Sequence, residues 1–277
     1  MNGGRPTNLL PLPGKETPME TRVLERRFAE IGARVKVEGP LRGSPRIDIR
    51  ADRRGEYFDI RFGGDGVGVE LSVVETRPAD RHLLMLVRAG DEKSKFLCGF
   101  DERHYFVAAI PEEARGVSGV TAAKAALQPE PVREAVDRKR PKDRFRRRNS
   151  AFVRQGEWFF VPEPGLEVAK KDVLRNEPLS RGLGTPHGME FAYRSVGTSV
   201  YVNRRHPWGI SESRFRRLTD DQRRNGGWTH MVRGADVFAK GAIRHPDHAT
   251  IELAGWHRVL MNTEQRARAM QHVVFLD

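Results

Sequence analysis

Residues 241–262 read GAIRHPDHATIELAGWHRVLMN and carry three histidines, His245, His248 and His257, within 13 residues. Ala249 to Leu253 alternates weakly, and His257 to Met261 is apolar around Arg258. Both runs are short and rich in Ile, Leu, Val and Thr, and Ala254-Gly255 punctuates them. The pattern predicts two strand segments with a kink or tight turn between them. His245-Pro246-Asp247-His248, just before, must be a turn. Pro246 fixes φ, has no N–H to donate and biases His245 toward extended backbone, while the Asp247 side chain can bond nearby backbone.

Two imidazoles three residues apart on a turn can face one direction, and neutral imidazole is a common ligand for zinc and other divalent metals. A zinc site needs at least three protein ligands. His187, in Thr185-Pro186-His187-Gly188, is the chosen third, with His257 and Glu252 as further candidates. A metal held by His187, His245 and His248, with Asp247 or Glu252 as a base activating bound water, would make a metal-dependent hydrolase or nuclease. The plainer reading is a polar surface turn whose histidines bond backbone carbonyls.

Working outward, 277 residues exceed the usual single domain, so two are expected. The chain is 38% hydrophobic and 31% charged, which is polar but sufficient for cores. No run of 18 apolar residues occurs, which excludes a membrane-spanning helix and a membrane partner. Leu9-Leu10-Pro11-Leu12-Pro13 is too short and too broken by proline for a secretion signal. The single cysteine, Cys98, excludes an intramolecular disulfide framework and suits a cytoplasmic setting.

The charge is +12, with a pI near 10.3. It is uneven: +4 over residues 1–50 (10 basic, 6 acidic), −1 over 51–100 (8, 9), +4 over 101–150 (12, 8), zero over 151–200 (6, 6) and +5 over 201–277 (13, 8). Cations gathered in segments are the footprint of a polyanion-binding surface. Arg138 to Arg148, RKRPKDRFRRR, holds eight basic residues in eleven. Pro141 breaks any helix there, so the run reads as an exposed interdomain linker able to neutralise phosphates, with Phe145 able to stack on a base. A second cluster combines Arg204 and Arg205 with a helix over 211–224. The expected function is therefore cytosolic nucleic-acid binding, RNA or single-stranded DNA before duplex. The expected phosphate contacts are Arg138, Lys139, Arg140, Lys142, Arg144, Arg146, Arg147, Arg148, Arg204, Arg205, Arg214 and Arg217. No helix-turn-helix, zinc-finger, RNP, Walker, Gly-x-Ser-x-Gly or kinase signature is present.

Taken in order, residues 1–17 are rich in Gly, Pro, Asn and Thr and read as disordered. Thr17-Pro18-Met19-Glu20 opens a helix carrying Val23, Leu24, Phe28 and Ile31, which Gly32 can end. About six short strands follow, over 46–50, 56–62, 67–74, 82–88, 95–98 and 104–110, with a turn at Gly63-Gly64-Asp65-Gly66. A helix over 117–137, broken near Pro129 and Pro131, closes an α+β domain with a largely antiparallel meander over 18–137. Cys98, Asp101, Glu102 and His104 cluster near a strand end, where a small buried hydrophobe is the ordinary expectation for Cys98. After the linker at 138–148, residues 149–277 read as a small β-barrel or sandwich. Its strands are expected over 152–162 with Gly156 as an irregularity, 189–194, 199–203 and 237–243, with a loop over 175–184 and the helical insertion at 211–224.

Residues 152–262 resemble small uncharacterised bacterial and phage proteins. That group opens with an R-Q-G-acidic strand, here Arg154-Gln155-Gly156-Glu157. It carries a central Gly/His segment, here Ser180 to His187, and closes on H-x-x-H-x-x-I-x-L, here His245 to Leu253. The group often has H-x-H in the central segment, where this chain has His187 alone. The resemblance spans about 40% of the chain and implies no activity.

Overall fold

The computed structural model describes residues 18–39, 41–63, 67–181 and 185–273. The expected disorder of residues 1–17 and most of the 63–66 turn lie outside these. Contacts divide the described chain into two units, one of residues 18–128 together with 263–273, the other of residues 129–262. The α+β class holds, with antiparallel pairing in almost every sheet. Among the described residues, no helix is long and apolar enough to cross a membrane.

In the first unit, α1 (Pro18–Glu30) buries Leu24 and Phe28, and Ile31 just beyond its end is also buried. Gly32, at φ 74°, ends the helix in a left-handed conformation that costs glycine little. Val23, expected on the buried face, is 53% exposed. Next come β1 (Val35–Glu38), β2 (Pro45–Asp52) and β3 (Gly55–Phe62), in the order β1-β3-β2. β1 was not expected; its four residues are too short to show a period, and it gains its place by pairing parallel to β3.

β4 (Val69–Arg77), β5 (His82–Ala89), β6 (Glu92–Asp101) and β7 (His104–Ala109) form an antiparallel meander. Strand periodicity sorts its side chains onto two faces. Leu83, Met85, Val87, Phe96 and Cys98 join the core beneath α1, whereas Leu84, Leu97 and Ala108 pack with Val120, Ala123 and Leu127 of α2 (Val120–Leu127). The chain returns to this unit at its end. Ala267, Ala269 and Val273 enter the same core as Phe28, and Val273 bridges Ile47. The expected domain of residues 149–277 therefore divides after Asn262, because these apolar residues find their burial here.

Pro129 and Pro131 do break the second helical pattern, but α3 (Glu130–Asp137) belongs to the second unit, where Val132 and Val136 pack with Phe152 and Phe159. Residues 138–148 also fall inside that unit instead of linking two domains. The run folds into a turn around Pro141–Asp143 and is tied to neighbouring backbone. Arg144 donates to the carbonyls of Lys139 (2.9 Å) and Asp137 (2.6 Å), and the Arg154 N–H reaches the Arg147 carbonyl.

The remaining elements are β8 (Val153–Gln155), β9 (Trp158–Pro162), β10 (Leu174–Leu179), β11 (His187–Arg194), β12 (Thr198–Asn203), β13 (His206–Ser211), α4 (Glu212–Arg216), α5 (Asp220–Asn225), β14 (Thr229–Arg233), β15 (Val237–His245) and β16 (His248–Met261). Six strands make one open antiparallel sheet, β10-β11-β15-β16-β9-β8, with β8 and β10 as its edge strands, so the described strands do not close a barrel. Between β11 and β15 a separate module is inserted, a β13-β12-β14 sheet with α4 and α5.

Three expectations are corrected here. Leu174–Leu179 is a strand, not a loop: Pro178 sits on an edge, and Asn176 tolerates φ 54°. The helix expected over 211–224 is two short helices, because Thr219 starts a new capping box with Gln222; Ser211 caps the first as expected. Ala254-Gly255 does not break the strand, and β16 runs through 14 residues, with an irregularity in its register against β15 between Ala239 and Gly241.

Candidate metal centre

The Pro246-Asp247 turn is the tip of the β15–β16 hairpin, and His245 and His248 are its first and last paired residues. β11 lies on the other side of β15 in a register that sets Gly188 opposite Arg244 and Met189 opposite Ile243, which brings His187 next to His245. Two segments distant in sequence, the start of β11 and the β15–β16 hairpin tip, thus deliver three buried imidazoles. One ring nitrogen from each lies within 4.8 Å of the others. Ring centroids are 4.3 Å apart for His187–His245, 5.0 Å for His245–His248 and 5.6 Å for His187–His248.

Spacing and protonation decide whether the cluster fits an ion. A tetrahedral ion with Zn–N bonds of about 2.1 Å would set its nitrogens roughly 3.4 Å apart, so the pairs here would need to close by at most about 1.4 Å to hold one. Burial first, and then the neighbouring His245 and His248, push the His187 imidazole down to about 3, so it is neutral and ligand-competent at physiological pH. The His187 Nε2 is buried and has no hydrogen-bond partner among the described residues.

His245 is held at both nitrogens. The Asp247 N–H donates to Nδ1 (3.2 Å), which leaves the proton on Nε2, facing the Thr185 carbonyl at 3.1 Å. An ion held at Nε2 would take the place of that proton, and the neutral ring would then carry its proton on Nδ1 and release the Asp247 N–H. The Asp247 carboxylate, 3.9 Å from Nδ1, is the acceptor at hand.

The hairpin tip is fixed from below by the β8–β9 turn. Gln155, fully buried, donates its side-chain amide to the carbonyls of Ala249 (2.7 Å) and Ile243 (3.4 Å). Gly156 follows at φ +56°, and a Cβ there would lie 2.9 Å from His248 Nε2. The Arg154-Gln155-Gly156 stretch therefore has a physical task, which is to seat the histidine turn. Spacing within the sequence does not reveal it; the glycine between two strands was the available signal.

Other sequence candidates are not part of the cluster. His257 is buried further along β16, with Nδ1 2.8 Å from the Gly255 carbonyl, and Glu252 is exposed. Cys98 is fully buried in the first unit, which pushes its thiol up and removes it as a nucleophile, and His104 sits 2.6 Å from Glu56.

The twelve basic residues divide in two. In the 138–148 run, Arg140 and Arg146 both pair with Asp143 (3.1 and 3.5 Å), Arg144 pairs with Asp137, Lys139 bonds Ser150, and Arg148 donates to the Glu252 carbonyl. Arg147 is half-buried, and Arg138 and Lys142 are exposed. On the inserted module, Arg204 and Arg205 occupy the β12–β13 turn, and Arg214 and Arg217 lie in and just after α4. All four are exposed and make no ion pair among the described residues. Tyr201 of β12 stacks on Phe215 of α4 with centroids 3.7 Å apart, which ties the helix to that sheet. No family model, curated protein or solved structure matches the chain.

Proposed function

We propose that this protein binds a divalent transition-metal ion, zinc before others, through His187, His245 and His248. The observation that carries the reading is the convergence of three buried imidazoles from β11, β15 and β16, with ring nitrogens inside one 4.8 Å span. Neutral nitrogen donors suit zinc, copper, nickel and iron over magnesium or calcium. Three protein ligands leave a fourth position, which a water or the Thr185 carbonyl can take. Hydrolysis by a metal-bound water is the catalytic extension; its weak point is the base, because Glu252 is exposed and Asp247 is better suited to orient His245. The test is elemental analysis of protein purified without an affinity tag, followed by zinc titration of the stripped protein. About one equivalent is expected, falling by roughly 100-fold in affinity in His187→Ala if each ligand contributes about 3 kcal/mol. Less than about a tenth of an equivalent, with no uptake on titration, overturns it.

A second reading is nucleic-acid binding, RNA or single-stranded DNA, and its support is the four exposed, unpaired arginines Arg204, Arg205, Arg214 and Arg217 on one module. The 138–148 run supports it less, because Asp143 and Asp137 already neutralise part of it. Binding of labelled poly-uridine across a salt series tests it; no binding at low salt, or binding that does not weaken with salt, rejects it.

A further inference from the structure

Next to the histidine cluster the second unit holds a cavity of about 460 Å³, lined by Trp158, Leu179, Ser180, Arg194, Val237 and Val259, among others. The two are neighbours: Leu179 pairs with His187, and the Trp158 ring meets the His187 ring edge-on at 6.4 Å. The volume falls in the range of small-molecule sites. The walls are hydrocarbon and indole, and the polar groups are unbalanced. Trp158 is 7% exposed, and its buried Nε1–H finds no acceptor among the described residues. Indole can only donate, and a buried donor left without an acceptor is uncommon in a folded protein. Arg194 adds a guanidinium, also donor-only, whose contact with Glu177 is long at 3.8 Å. Apolar walls with an excess of donors and a positive charge complement a molecule with an apolar body and an anionic acceptor.

We propose that this cavity binds a small organic acid, its carboxylate taken by Arg194 and the Trp158 N–H, and its hydrocarbon or aryl body lying against Leu179, Val237 and Val259. The site uses none of the three histidines and is tested apart from the metal. The experiment follows the indole N–H resonances of the metal-stripped full chain by NMR while phenylacetate or octanoate is added. The Trp158 signal, one of four, is assigned by its loss in Trp158→Phe. A saturable shift of that signal by the acids is expected. Octanol should bind at least about tenfold more weakly, and Arg194→Gln, at an exposed position, should weaken octanoate by about the same factor, as loss of one charge-assisted hydrogen bond implies. Val237→Phe, which fills the cavity, should abolish the shift. A Trp158 resonance that stays put up to about 10 mM of either acid, weaker than the millimolar floor of useful affinity, overturns the proposal. So does equal affinity for octanol and octanoate. Zinc stoichiometry is unaffected by either outcome, so failure here leaves the metal reading standing.

Discussion

Replacing Gly156 by alanine probes the contact on which the histidine centre depends. Two costs are expected. At φ +56° an L-residue costs about 1–2 kcal/mol relative to glycine. The new Cβ would also lie 2.9 Å from His248 Nε2, inside the separation that real Cβ atoms show, so the ring must move. Together these predict a loss of about 2–3 kcal/mol. Two other glycines of the same unit separate the terms. Gly234 has φ +69° and open space around its Cβ direction, so Gly234→Ala reports the backbone cost alone. Gly255 has neither a positive φ nor a neighbour within 4 Å, so Gly255→Ala should be near neutral. Urea unfolding followed by tryptophan fluorescence is the assay, because Trp158, Trp208, Trp228 and Trp256 all belong to the second unit. Zinc titration is the second readout: Gly156→Ala should lose at least about tenfold in affinity by displacing His248, and Gly234→Ala should lose none. If Gly156→Ala and Gly234→Ala match in both stability and zinc affinity, the β8–β9 turn does not seat the ligand and the reasoning fails.

Asp247→Asn should weaken zinc binding by about 10–100-fold with little change in urea stability, because with an ion at Nε2 the carboxylate would accept a hydrogen bond from the His245 Nδ1–H; an unchanged affinity would remove Asp247 from the centre. In the first unit, burial, and then the charge of Lys124, hold the His82 imidazole at about 4 against its ordinary 6.5. The unfolded chain therefore binds the extra proton first as pH falls, so stability is complete above about pH 6.5 and declines by roughly 3 kcal/mol on passing below about pH 4. Urea unfolding followed by circular dichroism at pH 7 and pH 4.5 measures this, and His82→Gln should flatten the difference. For the inserted module, changing Arg204, Arg205, Arg214 and Arg217 together to Gln should lower the log–log salt slope of poly-uridine binding by about 3, since four single-strand phosphate contacts contribute about 0.7 each. A variant slope equal to the parent's would place any nucleic-acid contact elsewhere.

Local chemistry was open to the sequence wherever neighbours along the chain decide the outcome. Pro246-Asp247 announced its turn, Gly156 its irregular position between two strands, and Ser211 its cap, and each stands in the structure. The alternation in 46–50 and 56–62 marked strands for the same reason, since a side-chain period of two is visible in a short window. The residue types His187, His245 and His248 were also legible as possible ligands. Their meeting was not. It needs β11 beside β15 with Gly188 opposite Arg244, a pairing between residues more than fifty positions apart that leaves no local trace. The same limit hid β10, whose loop-like Arg175-Asn176-Glu177-Pro178 becomes a strand only because β11 offers an edge, and it hid the return of Ala267 to Val273 to the first unit's core. It also governed the charges: counting arginines gives a sum, but whether one is spent on Asp143 or left facing solvent depends on where the fold sets its neighbours. Turn chemistry and side-chain period act over a few residues and were written in the chain. Sheet order, register and ion pairing act across it and were decided by the tertiary structure.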